Sequence, residues 1–458
     1  VMRIRSLVGV LACVCLAAGV AAAQSALPAG KPAANSEAQT NGDFFAAADQ
    51  VLQVMSKILA LPVKTPIKKS MRTKAEIREY LVAEDKKDES AKKRYADQRT
   101  LEAFGLIPKD FPLDSFLLDL LTDQVAGLYD PDKKEFYIAD WIDPVEQKPV
   151  MAHELTHALD DEYFHLKKWQ KAAEANDDAS LAREAVVEGS AVASMMDYTL
   201  SDLHSSVREI PDIAPFIESG IAGEMDTDPN LAKAPAFIRD ELLFPYLQGA
   251  EFSQAVLKSN SGWPDFKKVF ENPPVSTQQI LHPELYFQNV KPREVTLPHL
   301  KTAMPEGYDR LDENVVGEFA LGEVLKQFIG PGDARKFAPM WHGDRYALFE
   351  NKDTKQAILV VLLAIDSEKD TAPFFGAYRN ALEKKHAIQK PDREGTELMA
   401  AGDVFLRCVQ DECLSVEGAD RSVAERIAQQ LGWPAEVAQA SSGTRAAEEH
   451  SIHTRGTR

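Results

Sequence analysis

Val150-Met151-Ala152-His153-Glu154-Leu155-Thr156-His157-Ala158-Leu159 sets a His-Glu-x-x-His motif inside an apolar stretch. Residues i and i+4 stack on one face of a helix, so both imidazoles can reach one ion while Glu154 addresses the water that the ion holds. Uncharged neighbours free of proline favour a helix here, and Pro149 suits its first turn. The expected cofactor is Zn²⁺, one per chain, with Glu154 as the general base. The competing reading is a helix that happens to stack two histidines.

Two histidines do not complete a zinc site. Asp161 lies on the same helical face but about 12 Å of rise beyond His153, too far for one helix to supply all three ligands. The extended motif, with Gly three and His six residues after the second histidine, is absent, since Asp160 and Tyr163 stand there. Glu188 is the better candidate. It is the only ionisable residue between Ala185 and Met196, and a carboxylate buried among such neighbours needs a positive partner. Gly189 beside it would let a second helix approach closely. An arginine partner or a solvent-facing position is the plainer reading of Glu188. Glu184, one turn earlier, could orient a histidine or be the ligand itself.

His153-Glu154-x-x-His157 followed by Glu188-Gly189-x-Ala191 resembles the gluzincin class of zinc metallopeptidases over about residues 125–200. The resemblance implies that His153, His157 and Glu188 bind zinc and that Glu154 is the general base. It also implies an edge strand before the helix that binds substrate backbone. Val192 stands where some members carry an aspartate, so the groups behind the ligands differ here. Peptide hydrolysis also needs a donor for the oxyanion. Tyr246 and His282, in proline-containing segments, are the catalytic candidates for that role.

Working outward, Val125–Tyr129 and Glu135–Ala139 alternate apolar with polar residues around Asp130-Pro131-Asp132-Lys133, a hairpin signature. Residues 44–124 have a helical pattern, with Val51, Leu52, Met55, Ile58 and Leu59 on one face. A second long helix is expected from about Asp178 to Leu203. The segment from His204 to Lys301 reads as helices broken at Pro245, Pro264, Pro273 and Pro283. Beyond Gly330 the texture becomes that of a small α+β unit, with strands at Arg345–Glu350 and Gln356–Ile365. Trp341–Tyr346 reads as a turn leading into it.

The fold class is therefore α+β: a mostly helical core with a short edge hairpin, plus a small C-terminal α+β domain. The expected divisions are a signal peptide at 1–23, a linker at 24–43, an N-terminal helical region at 44–124, the zinc core at 125–330, the C-terminal domain at 331–438 and a disordered tail at 439–458.

Arg3 and Arg5, the apolar stretch Leu7–Val20 and Ala21-Ala22-Ala23 follow the order of a secretory signal, with a retained anchor as the alternative. A periplasmic or extracellular location follows. Cys408 and Cys413 then remain. If Gln410 and Asp411 form a two-residue turn, the cysteines face each other and can bridge, the alternative being two buried thiols. The chain of 458 residues has a formal charge of −19 and a pI near 5.1, the wrong sign for nucleic acid as a partner. No apolar run after the signal reaches the roughly 18 residues of a membrane span. The expected partner is a peptide or protein substrate. The rival readings are a binding or scaffold protein with a structural or degraded zinc site, and a metal-free surface module.

Overall fold

The computed structural model describes residues 41–434 apart from Glu89, Ile142, Asp143, Asp228 and Thr396. The signal, most of the linker and the tail lie outside the described residues. The fold is α+β. No helix among the described residues is long and apolar enough to cross a membrane.

Three helices make the centre: Pro144–Phe164, the histidine helix; Asp177–Leu200, the glutamate helix; and Ala236–Ser259, the tyrosine helix. The histidine helix begins five residues before Pro149, with Pro144 as its first residue, leaving Pro149 inside. The expected helix from Asp178 ends at Leu200 and gives way to a 3₁₀ turn, Ser201–Leu203. Pro245 does not break the tyrosine helix. An interior proline costs a helix about 3 kcal/mol, and this helix is buried on Phe237, Ile238, Leu242, Phe244 and Phe252, enough apolar surface to offset that.

The glutamate and tyrosine helices touch backbone to backbone. A Cβ on Gly189 would stand 2.0 Å from the Gly249 carbonyl carbon, and a Cβ on Gly249 would stand 2.2 Å from the Ala185 oxygen. Two glycines at the crossing are thus a steric requirement, as Gly189 suggested.

The hairpin forms from β2, Gly127–Asp130, and β3, Glu135–Ala139. Asp130 accepts from the backbone N–H groups of Asp132 and Lys133 and so closes its turn. The N-terminal region is not wholly helical. Lys68–Arg72 forms β1, which pairs in parallel with β3, so β2 lies at one edge of a three-stranded sheet ordered β1-β3-β2. A polar strand with three basic residues carries little of the alternation that marks strands, and its pairing comes from tertiary context.

The second sheet has seven strands in the order β4-β5-β6-β10-β9-β8-β7. They are β4 Tyr308–Asn314, β5 Trp341–Asn351, β6 Ala357–Ile365, β7 Arg393–Glu394, β8 Leu398–Ala401, β9 Val404–Val409 and β10 Glu412–Glu417. Its first strand thus comes from upstream of the boundary read at 331. Trp341–Tyr346 is strand rather than turn, with a register shift between Trp341 and Gly343. Both faces are covered. Leu359, Val361 and Leu363 of β6 join the main core, whereas Ile358, Val360 and Leu362 pack with Val423 and Ile427 of helix Arg421–Gln430. That explains the unbroken apolar run in β6. Cys408 faces Cys413 in the β9–β10 register, and the two form a disulfide.

The sheet and the central helices share hydrogen bonds. Asp177 N donates to Asn314 of β4, and beside it Thr277, from the short helix Thr277–Leu281, donates to Asp178 through its N–H and hydroxyl. Asp344 of β5 accepts from Val316 N, Gly317 N and Trp341 Nε1 at 2.7–2.9 Å. It thereby caps helix Gly317–Ile329 against the start of the glutamate helix, where a Cβ on Gly317 would collide with the Asp178 carboxylate.

The crossing is tested by Gly189→Ala, which should lower stability by about 1–3 kcal/mol in urea unfolding, since backbone has to yield. Gly376→Ala, in helix Glu368–Lys385 with no atom within 4 Å of the new Cβ, should be neutral or stabilising by up to about 1 kcal/mol. Equal losses in both would show that the crossing can relax.

Candidate metal centre

The histidine helix packs on the glutamate helix, and at their contact three side chains converge. His153 Nε2 lies 3.2 Å from Glu188 Oε2, His157 Nε2 lies 3.1 Å from His153 Nε2, and His157 Nε2 lies 3.4 Å from Glu188 Oε2. Donors held about 2.0–2.1 Å from a tetrahedral ion stand roughly 3.3 Å apart, so this triangle matches one face of such a site. All three residues are buried, at 2%, 5% and 2% exposure. The helix spacing brings the imidazoles together with ring planes at 85° and centroids 4.8 Å apart. His153, His157 and Glu188 form a group that could hold a metal ion.

Charge at the group follows from burial and proximity. Desolvation would depress the His157 pKa, but Glu188, then Glu154 and Asp160, overcome it and push it up to about 9. Burial would raise the Glu188 pKa, but His157 and His153 pull it down to about 2. Burial raises Asp160, three residues after His157, to about 7, against the pull of His157. Without a metal, a proton on the imidazoles thus supplies the positive charge that the buried carboxylate needs. Nδ1 of both histidines lacks a hydrogen-bond partner among the described residues. In many metal sites that nitrogen is held by a carboxylate or carbonyl, and among the described residues neither does so here.

The other predicted residues are distributed unequally. Glu154 is buried and packs beneath β2, where a Cβ on Gly127 would lie 3.3 Å from its Cγ. Tyr246 is drawn in by the glycine crossing, and its ring lies 6.3 Å from that of His153, inclined by 25°. Glu184 is buried one turn before Glu188. His282 lies outside the group, its Nε2 2.8 Å from Glu318 Oε1, and that contact raises its pKa. Asp161 is not a ligand, since it accepts from Tyr129 and Leu166 N and pairs with Lys134.

Asp160 and Glu241, buried at 3% and 1%, were not singled out from the sequence. For Asp160 the available signal was its place three residues after His157, on the buried side of the same helix.

Residues 305–428 match the model of a domain of unknown function, DUF8575. The match covers all of the seven-stranded sheet and none of the metal group. No curated protein and no solved structure matches the chain.

Proton and metal should compete for His157. Its raised pKa contributes stability to the metal-free protein below about 6.5, lost as pH rises through about 9; the lowered Glu188 pKa contributes above about 4.5, lost as pH falls through about 2. The metal-free site should therefore stabilise the fold most between pH 4.5 and 6.5. Calorimetric titration with a divalent ion at pH 7 should release about one proton, with affinity climbing towards pH 9. A pH-independent affinity would contradict this assignment.

Proposed function

We propose that the chain is an exported zinc-dependent peptidase of the gluzincin type. The observation that carries the reading is the triangle of His153, His157 and Glu188, with Glu154 next in sequence on the same helix. Two imidazoles and one carboxylate are a donor set typical of catalytic zinc. Zinc held there would polarise the scissile carbonyl and make water a nucleophile near neutral pH.

The protein's own groups divide the remaining work. Glu154 takes the proton of the attacking water and passes it to the leaving amine. Tyr246, beside His153, is a better candidate than His282 for donating to the developing oxyanion, because His282 is committed to Glu318. Strand β2 lies at the sheet edge and packs over Glu154, where the resemblance expects a strand that receives substrate backbone; its four residues are buried, so substrate would have to displace what covers them. Export rests on the order of Arg3, Arg5, Leu7–Val20 and the alanine triplet.

A structural metal site in a binding protein is the second reading, and the low exposure of all three ligands favours it. Glu154→Gln separates the two. The variant should keep zinc and fold yet lose about 10²–10⁴ in the rate of producing new amino termini from unfolded protein substrates. If wild type binds zinc and cleaves nothing, the structural reading takes its place. Absence of stoichiometric metal after purification with zinc removes both.

A further inference from the structure

Past the metal group, the end of the histidine helix meets the hairpin turn after β2 and the short helix Leu166–Lys171 around an open pocket of about 350 Å³. Lys134, Lys167, Lys168 and Lys171 line it, together with His165, against a single acidic lining residue, Asp161. In a chain with a formal charge of −19, this is a local reversal of sign. A concave surface lined by one sign of charge concentrates ligands of the other.

Part of this charge is already matched. Asp161 accepts from the Tyr129 hydroxyl and from Leu166 N, both at 3.0 Å, and pairs with Lys134. Lys167 pairs with Asp132 at 2.6 Å. Among the described residues Lys168 has no acidic partner, and Lys171 has only Glu174, 4.0 Å away with both side chains well exposed. His165, left-handed at φ 55°, separates the two helices. Lys168 and Lys171 stand three residues apart on the helix that follows and so share its face. The pocket thus retains two cations for an outside anion.

Its position suggests which anion. Strand β2 begins at Gly127, against Glu154, and ends at Asp130, next to the lining residue Pro131. Three residue steps at ~3.4 Å put the pocket roughly 10 Å along the strand from the point where it meets Glu154. We propose that the pocket holds a carboxylate side chain of a peptide whose backbone passes Glu154, three or four residues from that point, and so selects acidic substrates. This deepens the peptidase reading and rests on it for the word substrate.

The test measures binding separately from cleavage. Full-length Glu154→Gln is titrated with a fluorescent unstructured peptide carrying glutamates and with its glutamine twin, below and at about 0.15 M salt. The glutamate peptide should bind about five- to tenfold more tightly, less so at the higher salt, and Lys168→Ala/Lys171→Ala should erase the difference without weakening the glutamine twin. Both lysines are exposed, so the double variant should unfold at the wild-type temperature. No preference, or a preference that survives the double substitution, overturns the proposal. Inorganic phosphate binding more tightly than the glutamate peptide overturns the carboxylate assignment. In wild type, acidic residues should be enriched three or four positions from the new termini, and random flanks overturn the substrate role. A charge preference in a wild type that cleaves nothing upholds the pocket and removes the peptidase reading.

Discussion

A carboxylate enclosed by apolar helices is the constraint around which this molecule is arranged. Glu188 has no solvent to stabilise its charge, so something positive has to meet it inside the protein. The two imidazoles of one helix do so, and they reach it only because the glutamate helix is pressed between the histidine and tyrosine helices. Gly189 and Gly249 allow that pressing by removing the side chains that would keep the backbones apart. The same approach delivers Tyr246 to His153. One steric allowance thus sets the environment of four polar groups.

Much of the centre was legible because it obeys short-range rules. Helical spacing stacks His153 on His157, and the isolation of Glu188 among small and apolar residues marked it as needing a partner. Two-residue turn arithmetic placed Cys408 opposite Cys413, and the strands bear this out. What stayed hidden depends on distant chain. Lys68–Arg72 looks like solvated polypeptide until β3 is present to pair with it. Pro245 signals a break that packing overrides, and the irregular register after Trp341 disguised the start of a strand. The place of Tyr246 followed from no spacing, because a contact between two helices far apart in sequence decides it.

The matched domain and the metal group are structurally continuous although the family match includes only one of them. Asn314 and Gly317 of the matched residues, with Thr277 from outside them, gather around Asp177 and Asp178, the first turn of the very helix that carries Glu188. Negative side chains at a helix start also suit its dipole. Asp344 fixes the neighbouring helix to the sheet through three donors, and burial raises its pKa to about 6 despite them. The seven-stranded sheet therefore buttresses the glutamate helix, and a single apolar core runs through both parts.

The parallel pairing of β1 with β3 bears on how the chain reaches this state. A parallel neighbour cannot be joined by a tight turn, and here the crossover contains the helices Lys74–Asp88, Ala91–Phe104 and Leu113–Gln124. Closing so long a loop costs entropy before any strand contact repays it, which makes the three-stranded sheet a late event compared with its local hairpin. The cover over Glu154 is thus expected to assemble in two stages. The hairpin should form first, with β1 then pairing to β3 from the other side.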